Sequence, residues 1–249
     1  MQLDAWGDSV TGLVRSTNED AFGIRPELGV FVVADGLGAH PRGELASRMT
    51  VDAICTSLAS AVEESGQARA ARWQQMLPVA LAKANETLEA SSQTLLRQPP
   101  YLPMASTAVV LVISSDEGCA YWIHSGDSRL YRMRAGMLEL LTADHTSYGD
   151  RYRHSSTIAL DLPHNNELNQ AIGAPGGFEL KVGSAPLAVD DIFLLCTDGV
   201  SGLIEPEQIA AMLTGAASAQ AAGAALLDAA MQAGGHDNAT VIVVRVTAA

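Results

Sequence analysis

Short apolar runs punctuated by turn residues open the chain. Asp20 to Ile24 and Val30 to Ala34 are β-like runs separated by Pro26 and Gly29, and they predict two strands. From Gly43 the period changes. Leu45, Met49, Ile54, Leu58 and Val62 recur at four- or five-residue steps and predict an amphipathic helix with one apolar stripe. A second helical stretch runs from about Ala70 to Leu96; Pro78 inside it predicts a kink or a later start, and Pro99-Pro100 with Pro103 predict its end. Three strands follow at Thr107 to Ile113, Ala120 to His124 and Leu130 to Arg134, with turns at Asp116-Glu117-Gly118 and Gly126-Asp127. Residues 143 to 170 are polar with little periodicity, the mark of a functional lid or insertion. Strand character returns at Phe178 to Val182 and Ile192 to Cys196. Ala-rich helical sequence from Glu205 to Gln232 then precedes a last strand, Thr240 to Val246. Strands, helices, strands, helices and a strand predict an α+β class, a mostly antiparallel β core with helices outside. No interior linker or solenoid-length repeat divides residues 1–249, which read as one domain.

Composition narrows the setting. Of 249 residues, 48% are hydrophobic and 17% charged, which argues against disorder. No run approaches the roughly 18 apolar residues of a membrane span, so no membrane insertion is expected. The opening MQLDAWGDSV has neither a basic n-region nor an apolar h-region, which predicts no secretory signal. Cys55, Cys119 and Cys196 are odd in number and far apart, and fit reduced thiols of a cytoplasmic protein. With 28 Asp and Glu against 15 Lys and Arg, the net charge of −13 opposes nucleic-acid binding. Arg132, Arg134, Arg151 and Arg153, with tyrosines among them, read as a solvated strand face and loop. An excess of carboxylates also suits divalent cations.

The aspartates are the informative feature. Two apolar strands finish in an acid followed by glycine, at Asp35-Gly36 and Asp198-Gly199. A third acid, Asp127, sits in a turn just after a strand, and a fourth, Asp237, just before one. Taken singly, each reads as a plain turn, because Asp caps its own backbone and Gly accepts positive φ. Four acids, each tied to a strongly apolar strand, predict instead a cluster that a cation holds together. An oxygen-only donor set suits Mg²⁺ or Mn²⁺ and not zinc. Near the N-terminus, Arg15 lies four residues before the pair Glu19-Asp20. That segment reads either as a surface salt-bridging loop or as a phosphate-binding guanidinium beside acids that orient metal-bound water.

Other chemistries are struck out by spacing. Gly36-Leu37-Gly38-Ala39-His40-Pro41 lacks the third glycine of a dinucleotide fingerprint, and no Gly-Lys-Ser/Thr follows. Gly126-Asp127-Ser128-Arg129-Leu130 is no nucleophile elbow. The cysteines and histidines lack zinc spacing, and His236 is equally a capping residue or a ligand.

Read together, RSTNEDAF (15–22), VVADGLGAHPRGELAS (32–47), Ser106 to Val109, HSGDSRLYR (124–132), LTADHT (141–146), Ala171 to Gly173, LLCTDG (194–199) and GGHDNATVIVV (234–244) resemble the metal-dependent protein phosphatases of type 2C, in their compact bacterial form. The resemblance spans nearly the whole chain, in the family's order. It implies a two-sheet antiparallel β sandwich flanked by helices, a four-layer αββα arrangement, with a flap near 147–170 beside the active site. It also implies a centre of two Mn²⁺ or Mg²⁺ ions. Asp35 would bridge both and the Gly36 carbonyl would ligate one, with Asp198 and Asp237 at the second site. Glu19 and Asp20 would act through water, Arg15 would bind the substrate phosphate, and Asp127 would hold a weaker third metal. Asp35, Asp198, Asp237 and Arg15 are thus the expected catalytic set.

The implied activity is hydrolysis of phosphoserine and phosphothreonine in proteins by a metal-activated bridging water, opposing a bacterial Ser/Thr kinase. The alternatives are a catalytically weak phosphoprotein-binding module of the same fold, or a two-metal phosphohydrolase of small metabolites. Three positions depart from the family pattern. Ala39 stands where glycine is usual, Gly202 where an acid is common, and Leu37 where eukaryotic members have a histidine; His40 is the remaining candidate acid, better read as structural.

Overall fold

Val30–Asp35 carries five consecutive buried residues, so this strand must be covered on both faces. The computed structural model, which describes residues 1–64, 72–95, 102–146, 167–176 and 180–248, shows how. The strands are β1 (Gln2–Val10), β2 (Asp20–Arg25), β3 (Val30–Asp35), β4 (Ala108–Ser114), β5 (Cys119–Ser125), β6 (Arg129–Arg134), β7 (Met137–Leu140), β8 (Gly183–Pro186), β9 (Ile192–Cys196) and β10 (Ala239–Thr247). The helices are α1 (Gly43–Glu64), α2 (Trp73–Leu95), α3 (Asp198–Ser201), α4 (Pro206–Gly215) and α5 (Ala219–Gln232). The strands form two five-stranded antiparallel sheets, ordered β1-β10-β9-β6-β7 and β2-β3-β4-β5-β8.

Period-2 alternation sorts the core into three layers. Phe31 and Val33 of β3, with Phe193 and Leu195 of β9 and Ile242 and Val244 of β10, fill the space between the sheets. Val30, Val32 and Ala34 point the other way, onto α1 and α2. Leu194, Val241 and Val243 point onto α4 and α5. The result is the four-layer αββα sandwich. Ile54 and Leu58 of the expected α1 stripe are buried in the helix-facing core, and Leu45, Met49 and Val62 pack against its edge.

The structure corrects several expected boundaries. The strand expected at Phe178 to Val182 lies instead at Gly183–Pro186; of the expected stretch, 178–179 fall outside the described residues. Gly183 explains the miss, because the Trp122 indole occupies the place of its side chain, and a Cβ there would lie 2.1 Å from Cε2. The helical sequence from Glu205 to Gln232 is two helices, since Ser218 Oγ accepts from Ala221 N at 3.1 Å and Asp4 Oδ2 accepts from Ala219 N at 2.8 Å, starting α5 afresh. Pro78 lies inside α2, which begins at Trp73. The edge strands β1 and β7 had not been expected. Most of the flap, 147–166, lies outside the described residues, as do Arg151 and Arg153. Arg132 and Arg134 are paired, with Glu139 and Asp191. Among the described residues, no helix is long and apolar enough to cross a membrane.

Candidate active site

The carboxyl ends of β3 and β9 and the segment entering β10 meet at one end of the sandwich. Asp35 ends β3, opposite Asp20 at the start of β2 in the antiparallel register. Its N–H donates to Thr107 Oγ1 at 2.9 Å, and its carbonyl accepts from Thr107 N at 2.7 Å and Ser106 Oγ at 2.9 Å. These bonds fix the backbone. Gly36 N donates to the Glu19 carbonyl at 3.0 Å. A Cβ on Gly36 would lie 2.1 Å from the Gly43 carbonyl, so the turn into α1 admits only glycine there.

Asp198 opens α3 from the other sheet. Gly199 packs so closely that a Cβ would lie 1.9 Å from the Asn238 carbonyl, which draws Asp198 against the Asp237 segment. Asn238 ties this end together. Its Nδ2 donates to the carbonyls of Thr11 at 2.8 Å and Thr17 at 2.9 Å, and its Oδ1 accepts from Glu19 N at 2.8 Å. Arg15 Nη2 reaches Asp237 Oδ2 at 2.6 Å. Glu19 Oε2 and Arg15 Nη1 both approach Gly38, 3.2 and 3.3 Å from where its Cβ would be.

Electrostatics show how crowded the acids are. Asp35 is raised well above the usual carboxylate range, first by burial and then by the charges of Asp20, Asp198, Asp127 and Asp237. Burial pushes Asp20 up to about 7 against its hydrogen bonds from Thr240 and Thr197. Asp127 also rises to about 7, by burial and then by Asp198 and Asp144. Asp198 is raised by lost hydration and the like charge of Asp237, although the residue keeps an exposed surface at the mouth. Glu19 is raised by burial and by Glu44, against Arg15.

Asp35 thus feels the charges of Asp20, Asp127, Asp198 and Asp237, while Arg15 pairs with Asp237 and, like Glu19, approaches Gly38. Among the described residues, no three such side chains are already arranged to hold a metal ion; Asp237, for one, is turned onto Arg15. The cluster nonetheless fits divalent cations by its chemistry. Its donors are oxygens only, Arg15 and Arg129 offset only part of the mutual repulsion, and Asp20 Oδ1 is buried with no partner. The remaining departures are accommodated. Ala39 has no positive φ, a strain that falls on Arg42 at 61° instead. His40 Nδ1 is engaged with the Pro103 carbonyl at 2.6 Å, a structural contact. Gly202 supplies no carboxyl beside Asp127. Sequence reading had not singled out Asn238, Thr197, Thr240, Ser9 or Thr107, whose importance is visible only in their hydrogen bonds.

Known proteins share this chain's sequence pattern and fold. The serine/threonine phosphatase stp of Listeria monocytogenes serotype 4b is 26% identical over 239 residues, covering 94% of this chain and 92% of that protein. PppA, a key regulatory component of T6SS in Pseudomonas aeruginosa, superposes with a TM-score of 0.81 at 29% identity over 98% of both chains. The catalytic domain of the serine/threonine protein phosphatase PstP, solved with two manganese ions, superposes with a TM-score of 0.79 at 26% identity over 99% of both. Residues 14–233 match the model of the protein phosphatase 2C family, and to that family this chain belongs.

Proposed function

We propose that this chain hydrolyses phosphoserine and phosphothreonine in proteins with the help of two divalent cations, Mn²⁺ or Mg²⁺, opposing a Ser/Thr kinase in the cytoplasm. The observation that carries this reading is the convergence of Asp20, Asp35, Asp127, Asp198 and Asp237 from both sheets beside one arginine. The manganese pair in the PstP structure supports the choice of ion. The role of PppA as a regulatory component of T6SS supports a signalling setting. We read residues 1–249 as one catalytic domain, in keeping with the pairing of β1 with β10.

In this proposal Asp35, the Gly36 carbonyl, Asp198 and Asp237 would hold the two cations. Glu19 and Asp20 act through water, and Asp127 is the remaining donor for a weaker third ion. Cations so held would lower the pKa of a bound water and offset phosphate charge. Arg15 does the rest of the phosphate recognition, its planar guanidinium matching two phosphate oxygens. Exposed at the rim and turned toward the acids, Arg15 aligns a phosphomonoester with its ester oxygen outward, toward the protein that carries it. The sandwich contributes rigidity, since each acid is anchored on a strand end or by a short hydrogen bond.

The test is release of phosphate from a phosphothreonine peptide with and without Mn²⁺, beside Asp35→Ala and Asp237→Ala. Metal-dependent release lost in both variants supports the reading. A metal-loaded wild type inactive on peptide and on small aryl phosphates favours the binding module, and activity on aryl phosphates alone favours a small-metabolite phosphohydrolase.

A further inference from the structure

Asp20 is gripped by one oxygen only. Thr240 Oγ1 donates to its Oδ2 at 2.6 Å and Thr197 Oγ1 donates to the same atom at 2.9 Å, while Oδ1 is buried with no partner. The directions of the surrounding bonds are forced. The Asn18 amide nitrogen only donates, and it donates to Ser9 Oγ at 2.8 Å. Ser9 Oγ lies 2.7 Å from Thr240 Oγ1. Thr240 has one hydroxyl proton, committed to Asp20, so the proton between Ser9 and Thr240 belongs to Ser9. Thr197 Oγ1 in turn accepts from Thr240 N at 3.0 Å, and Asn18 Oδ1 accepts from Asp20 N at 3.1 Å, closing the ring. All hydroxyl protons run toward Asp20 Oδ2, an arrangement in which each bond polarises the next.

The placement of these residues matters as much as their bonds. Ser9, Thr240 and Thr197 come from β1, β10 and the end of β9, three neighbours in one sheet, whereas Asp20 opens β2 of the other. The chain thus sets Asp20, paired opposite Asp35 in its own sheet, against the acids of the facing sheet. We infer that Thr240, Thr197 and Ser9 are positioning residues. They clamp Oδ2 across the two sheets so that Oδ1 of Asp20, buried with no hydrogen-bond partner, is presented to the water around the cations, and so set the metal affinity of the site. This inference rests on the two-cation reading above.

The experiment is Mn²⁺ binding by isothermal titration calorimetry, with metal-free thermal unfolding as the control for folding, on the wild type, Thr240→Val, Thr240→Ser and Ser9→Ala. Thr240→Val keeps the shape and loses the hydroxyl; it should weaken Mn²⁺ binding roughly 10- to 100-fold, the usual effect of removing a partner behind a ligand. Thr240→Ser should restore binding to within about threefold, and Ser9→Ala should weaken it less than Thr240→Val, as expected for a bond one step removed. A folded Thr240→Val that binds Mn²⁺ as tightly as the wild type overturns the inference, as does a Thr240→Ser as weak as Thr240→Val. Should Thr240→Val not fold, an unchanged affinity in Ser9→Ala overturns it and a reduced one supports it. A wild type that binds no Mn²⁺ overturns the proposed function along with it, whereas tight binding in wild type and variants alike overturns this inference alone.

Discussion

Arg15 and Asp237, 222 positions apart, meet with Nη2 and Oδ2 at 2.6 Å. Both side chains keep substantial exposure, at 48% and 34%, so the pair contributes little to folding. Its significance is local. It places the guanidinium at the rim of the acid cluster, where a phosphate would arrive.

Arg15→Ala should therefore leave the melting temperature nearly unchanged and act on substrate binding. Loss of a charge-assisted contact to phosphate should raise KM for a phosphothreonine peptide by roughly 10- to 100-fold. The steady-state split between KM and kcat checks this; a variant with unaltered KM would remove Arg15 from phosphate binding.

Asp35→Asn should abolish metal-dependent turnover, by at least about a thousandfold, because the amide cannot serve as an anionic ligand. The same change removes a buried like charge that Asp20, Asp198, Asp127 and Asp237 oppose. Metal-free Asp35→Asn should accordingly melt no lower than the wild type above neutral pH. Thermal unfolding in the presence of a chelator measures it.

The acids also make the metal-free protein sensitive to pH. Asp20 and Asp127 are both raised to about 7, well above the ordinary aspartate value, chiefly by burial. The folded state thus binds these protons more tightly than the unfolded chain. The stability they contribute is complete below the unfolded value and is lost as pH rises through about 7. Melting temperature without metal should fall between about pH 5 and pH 8, and added Mn²⁺ should flatten the slope by taking the place of the protons. A metal-free melting temperature that climbs over that interval would contradict the crowding described here.

Gly199→Ala tests the junction that holds Asp198. The added methyl would lie 1.9 Å from the Asn238 carbonyl, so backbone must move. A cost of about 1–3 kcal/mol is expected, with weakened Mn²⁺ binding as α3 shifts. Gly118→Ala, with nothing within 4 Å of its Cβ but φ at 60°, is the companion control, destabilising through backbone strain while leaving metal binding intact.

What the sequence by itself determined was periodicity and adjacency. Val30–Asp35, Ala108–Ser114, Ile192–Cys196 and Ala239–Thr247 were legible because strands buried on both faces are nearly continuous apolar runs, and α1 because its stripe has helical spacing. Asp35 and Asp198 stood out because each follows such a run into a glycine, and Asp237 because it lies just before one. The tertiary structure alone decided the rest. Gly183–Pro186 has no strand signal of its own; it pairs because Trp122 covers Gly183. The break before α5 depends on Asp4, 215 positions away, as well as on Ser218. Thr197, Thr240, Ser9 and Asn238 looked like ordinary polar residues beside the motifs, because a hydroxyl or amide declares its role only through the partner it meets. For Thr197 and Thr240 that partner is Asp20 of the opposite sheet, and the packing of Phe31 and Val33 against Phe193 and Leu195 is what brings the two sheets, and hence the acids and the hydroxyls, within hydrogen-bond reach.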